Sequence, residues 1–115
     1  MFKYLACFGV VLFTAPAFAQ CAAPIDRSFT TTNTGAVTIA PRNTARRTLN
    51  FFNIPSGLTS GLYISGTATA ANATSGSANI PASTVLYSFP SSVIGVGAIT
   101  AYTTIAGQVI NVWEC

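Results

Sequence analysis

Histidine is absent, and lysine appears once, as Lys3 in an apolar N-terminal stretch; Asp26 and Glu114 are the whole acidic complement. Each scarcity removes a chemistry. A serine nucleophile needs a positioned base, and beyond Lys3 neither histidine nor lysine is there to act as one. Glycoside hydrolysis needs two carboxyls flanking one bond, whereas Asp26 and Glu114 stand near opposite ends and read as ordinary surface charges balancing Arg27 and another arginine. The two cysteines after residue 19, Cys21 and Cys115, do not complete a zinc site without histidine, and no glycine-rich stretch sits between a strand and a helix to cradle phosphate. The expectation is no catalytic residue, no cofactor, no metal and no enzymatic activity. Without lysine after residue 19, internal Lys–Asn or Lys–Asp isopeptide bonds are excluded too.

Beyond residue 19 the charges are Asp26, Arg27, Arg42, Arg46, Arg47 and Glu114, four positive minus two negative, or +2. That is too sparse for a nucleic-acid groove, which needs several phosphate contacts. Arg42, Arg46 and Arg47 cluster, which suits either a solvated strand entrance or an anionic partner. Low charge with half the residues hydrophobic is not the signature of disorder. Such a surface has little repulsion to keep copies apart, so self-association is expected.

The first nineteen residues read as an export signal. Lys3 supplies a basic start, 5–13 an apolar run, and Ala17-Phe18-Ala19 a small-x-small cleavage site. A spanning helix wants about 20 apolar residues, and this run is shorter and is followed by Pro16, so no stable membrane insertion is expected after cleavage. Domain boundaries follow: signal at 1–19, one β domain at 20–115. The location is exported, meaning periplasmic, extracellular or cell surface, unless the chain sits on a virion. Cys7 falls in the signal, leaving Cys21 and Cys115 for either an internal disulfide or cross-links between subunits. A bridge closing a loop of about 95 residues would stabilise by roughly 4–5 kcal/mol on the chain-entropy account.

After the signal no long 3.6-residue periodicity occurs, and Thr, Val, Ile, Phe and Tyr dominate the apolar segments. Strands are predicted at 28–32, 36–40, 47–54, 61–67, 84–89, 98–104 and 108–114, with turn formers between them. About seven short antiparallel strands suggest an all-β sandwich or barrel. Alternation puts Val37 with Ile39, Leu62 with Ile64, and Val85 with Tyr87 and Phe89 on single faces. Strand 47–54 is apolar on both sides, with Leu49 and Phe51 opposed to Phe52 and Ile54; strand 108–114 likewise opposes Val109 and Trp113 to Ile110 and Val112. Strands needing cover on both faces imply packing beneath a loop or a protein partner. The candidate interface is therefore Phe52, Ile54, Trp113, Arg46 and Arg47, and the stretch 66–81 is the predicted exposed loop. Its Asn72-Ala73-Thr74 sequon is the kind that arises by chance.

From Arg46 onward the motif order resembles small β-proteins of tailed-phage structural modules, described as virion decoration or minor structural proteins. The matching pieces are Arg46-Arg47-Thr48-Leu49-Asn50-Phe51-Phe52-Asn53, Leu62-Tyr63-Ile64-Ser65-Gly66-Thr67-Ala68, Asn79-Ile80-Pro81-Ala82, Ile99-Thr100-Ala101 and Ala106-Gly107-Gln108-Val109-Ile110-Asn111-Val112-Trp113-Glu114. The resemblance implies a non-enzymatic β-sandwich held on a capsid or other virion lattice. The signal favours another reading, an exported bacterial surface, fibre or adhesin subunit. A third is a sugar-binding module using Tyr63, Tyr87, Tyr102 or Trp113.

Overall fold

The computed structural model describes residues 23–67, 69–74 and 76–115. The expected signal at 1–19 and Cys21 lie outside them. The chain is nearly all-β: β1 (Ile25–Asp26), β2 (Phe29–Thr30), β3 (Val37–Ala40), β4 (Thr48–Phe52), β5 (Leu62–Ser65), β6 (Ala78–Ile80), β7 (Leu86–Pro90), a single helical turn α1 (Ser91–Ile94), β8 (Ile99–Tyr102) and β9 (Val109–Glu114). Two antiparallel sheets form a sandwich. One runs β1-β9-β4-β7, with β2 also paired to β9; the other runs β3-β8-β5-β6. Consecutive strands lie in different sheets except β1 with β2 and β5 with β6.

The core fills from the alternating faces that β-branched and aromatic residues present. Leu49 and Phe51 of β4, Ile110 and Val112 of β9, Leu62 and Ile64 of β5, and Ile99 and Ala101 of β8 are all buried. Phe89 closes this core edge-to-face on Phe51, with ring centroids 5.8 Å apart. At one end of the sandwich the buried Thr31 hydroxyl donates to Ile105 O at 2.6 Å and accepts from Gln108 N at 3.0 Å, which ties the β8–β9 connection to β2.

Four expectations change. Val85 and Tyr87 are exposed rather than buried with Phe89: β7 is an edge strand, with β4 on one side only. Ile54 is buried with Leu49 and Phe51, not outward with Phe52: the strand ends at Phe52, and Asn53 at φ 50° turns the chain before Ile54, breaking the period of two. The predicted loop 66–81 is partly structured, since Ala78–Ile80 pairs with β5 and Ile80 and Ala71 are buried. Finally, Ser91–Ile94 forms a helical turn closed by Gly95, whose N–H reaches Ser91 O at 2.9 Å and whose φ of 79° is one that glycine adopts without penalty.

The chain leaving β5 runs tightly against α1. A Cβ on Gly66 would lie 1.9 Å from Ile94 O, a backbone atom. Gly66→Ala therefore forces the α1 turn away from β5, and urea unfolding is expected to show a loss of about 1–3 kcal/mol; unchanged stability would mean that the two segments do not touch.

Candidate functional site

At the other end of the sandwich lies a fully buried ion pair, Arg46 with Glu114. Glu114 continues the core-facing parity of Ile110 and Val112, so β9 itself drives a carboxylate inward. Arg46 stands just before β4, at the foot of a short turn in which Asn43 Oδ1 accepts from Ala45 N at 3.0 Å and Asn43 O accepts from Arg46 N at 3.1 Å. The Arg46 Nε donates to Glu114 Oε2 at 2.6 Å. Its Nη1 donates to Gly97 O at 2.7 Å and Gly95 O at 3.2 Å, and Nη2 to Pro41 O at 2.7 Å. Four of the five guanidinium N–H groups thus have an acceptor. On the other carboxylate oxygen, Oε1 accepts from Asn43 Nδ2 at 3.0 Å and from the half-buried Arg27 Nη2 at 3.1 Å.

Arg46 therefore joins both sheets. Pro41 follows β3 and Gly97 precedes β8, both strands of the second sheet, while Arg46 leads into β4 and Glu114 ends β9, both strands of the first. The end of the chain is tied in beside it: Cys115 O accepts from Arg47 N at 2.6 Å and from Thr48 N at 3.1 Å, and Cys115 N donates to Thr48 O at 3.0 Å. Cys115 is disulfide-bonded.

Burial opposes ionisation of Glu114 most strongly, yet the hydrogen bonds from Asn43, Arg46 and Arg27 and the charge of Arg46 outweigh it and hold the carboxyl below its ordinary value of 4.5. A carboxylate with both oxygens occupied and its proton disfavoured is suited to holding structure rather than to giving up a proton. Asp26 is exposed and also lowered, through its hydrogen bonds with Ser28, whose N–H lies 2.8 Å away.

The expected interface residues separate. Arg46 is buried, which corrects its reading as a solvated or partner-facing charge; the expectation that Glu114 is a surface charge is corrected likewise, since it is buried against Arg46 and Arg27. The sequence carried a signal for this, because the parity of Ile110 and Val112 places Glu114 inward and a buried carboxylate needs a cation. Arg47 is exposed. Phe52 and Trp113 meet on the outer face of the first sheet, ring centroids 5.1 Å apart, with Trp113 48 % exposed. Beside them stands Leu86, paired with Phe52 across the β4–β7 ladder and 56 % exposed. Around this apolar group lie Asn50, Ser88 and Asn111, the Ser88 hydroxyl donating to Asn50 Oδ1 at 2.6 Å.

The four aromatics considered for a sugar platform do not converge. Tyr63 and Tyr102 pair on the second sheet with centroids 6.2 Å apart, Tyr87 packs on Phe89 at the β7 edge, and Trp113 lies on the first sheet. Two clefts of about 280 and 350 Å³ flank Gly66, the first against α1 and the second against Gly97 and Arg42; Arg42 is the one charged side chain lining either. Among the described residues no three His, Cys, Asp or Glu side chains come together as metal ligands, and no helix is long and apolar enough to cross a membrane. No family model, curated protein or solved structure matches this chain.

Replacing Glu114 by Gln leaves two guanidinium groups facing a neutral side chain. The expected cost is about 3–5 kcal/mol in urea unfolding at neutral pH. Because the folded carboxyl titrates below its ordinary value, its contribution is complete above pH 4.5 and disappears as pH falls through the lowered value. The unsubstituted chain should thus lose stability on acidification below about pH 4.5, and Glu114→Gln should flatten most of that dependence. An equally steep acid profile in the variant would contradict the assignment.

Proposed function

We propose that this chain is a non-enzymatic structural subunit that assembles on a lattice, and that the lattice is the outside of a virion, where it serves as a surface or cement protein. The observation that carries the reading is the Phe52–Trp113 pair with Leu86, an apolar group held outward on a sheet face and rimmed by amides and a hydroxyl. Contiguous exposed apolar area of this kind marks interaction surfaces. Protein interfaces are enriched in aromatics at their centre and depleted of charge, and between Arg47 and Glu114 the sequence has no Asp, Glu, Lys or Arg at all. The resemblance of residues 46–114 to decoration proteins of tailed phages supports the same reading. Its partners are further copies of itself and a capsid protein.

The second reading, an exported cell-surface or fibre subunit, is favoured by the disulfide at Cys115, since such bonds persist in oxidising compartments. On either reading Cys21 is the proposed partner of Cys115, after removal of residues 1–19.

Immunogold electron microscopy of source cells and of particles purified from them separates the readings. Gold on virions is expected; gold on cell-surface structures selects the second; label confined to soluble fractions contradicts both. Co-sedimentation with the labelled structures should weaken by at least about tenfold on Phe52→Ser with Trp113→Ser, because central aromatic anchors dominate interface energy. Undiminished binding by a folded double variant would exclude this face.

A further inference from the structure

We infer that β7 is a dimerisation edge, at which two copies of this chain join β7 to β7 antiparallel and merge their first sheets into one. This rests on the assembly reading only in taking the chain to be a subunit, and does not need the lattice to be viral. Folded β-proteins blunt their sheet edges with short strands, bulges or charges, because unpaired backbone groups template association. Three of the four edges here are blunted. β1 and β2 have two residues each, β6 has three, and the β3 ladder shifts register between Thr38 and Ala40. β7 is different: five residues in unbroken register from Thr48↔Pro90 to Phe52↔Leu86, with no strand on its other side among the described residues. Val85, Leu86 and Tyr87 are exposed along it, as is Val93 just beyond. No charged residue lies between Arg47 and Glu114, so β7 itself carries none, and two copies meet along it without like-charge repulsion.

The hydrogen-bond phase fixes the pairing. Asn53 N donates to Val85 O and Ser91 N to Arg47 O, both at 2.8 Å. Antiparallel alternation then commits the odd residues of β7 to β4 and turns the N–H and C=O of Leu86 and Ser88 outward. Thr84 O is already taken by Ile54 N at 2.8 Å, and Pro90 has no N–H. The two-fold register that uses every outward group of Leu86 and Ser88 therefore places Leu86 of one copy against Ser88 of the other, with the two Tyr87 residues facing across the axis. Leu86 extends the Phe52–Trp113 face across the junction, so dimerisation would double the proposed lattice-binding surface.

The test is analytical ultracentrifugation of the full chain with Leu86→Pro, Leu86→Lys and Tyr87→Cys variants. Proline at 86 removes an outward donor and no β4–β7 bond, a substitution edge strands tolerate; lysine at 86 brings like charges together. We expect a dimer for the unsubstituted chain and monomers for both Leu86 variants, with circular dichroism unchanged in at least the lysine variant. Oxidised Tyr87→Cys should yield a covalent dimer on a non-reducing gel beyond any given by the unsubstituted chain, since facing non-hydrogen-bonded residues fall within disulfide reach. A monomeric unsubstituted chain, or folded Leu86 variants that remain dimeric, would overturn the inference; no added cross-link at Tyr87 would overturn the register. Neither result bears on where immunogold places the chain, so the two proposals fail separately.

Discussion

The guanidinium of Arg46 is the point where the two sheets of this sandwich are held in fixed relation. It bonds the carboxylate of β9 on one side and, on the other, the carbonyls that follow β3 and precede β8. Apolar packing elsewhere is non-directional and would tolerate some sliding of one sheet over the other. A planar donor fork with four fixed acceptors does not. Desolvating two charges is costly, and a buried ion pair is weak grounds for claiming stability. Its effect here is better described as specificity: with Glu114 in place, the register of β9 against β4 and the position of the Pro41 and Gly97 carbonyls are set together.

This arrangement divides the molecule. Asp26, Arg27, Arg42, Arg46, Arg47 and Glu114, the charged residues beyond Lys3, lie at the end of β1 and just after it, in the segment before β4 and at the end of β9. The remaining strands carry none, which leaves the Phe52–Trp113 face and the β7 edge neutral and apolar. The few ionisable groups are thus concentrated at one end of the sandwich, and the outer sheet face and the β7 edge are without charge.

Much of the fold was legible because the signal was alternation. Leu49 with Phe51, Leu62 with Ile64 and Ile110 with Val112 follow the period of two that pleated strands impose. Reading failed where a local backbone event interrupts it, as at Asn53, or where a residue's parity is right but its strand is at an edge, as for Val85 and Tyr87. β6 was illegible because Ala78 and Asn79 have low strand propensity, and its pairing depends on β5 rather than on its own residues. Phe52 and Trp113 were readable as outward aromatics. The ion pair is the least legible feature, because a charge near a chain end is ordinarily exposed; only the parity of β9 points Glu114 at the core.

A double-mutant cycle on Arg46→Met and Glu114→Leu, followed by urea unfolding, tests this centre most directly. If the pair holds the sheets together, each single change strands the opposite charge in the interior and costs about 3–5 kcal/mol. The double change should then cost well under the sum, with a coupling energy of roughly 1–3 kcal/mol or more. Two small, additive losses would show that the sheets are held by apolar packing alone and would contradict the account.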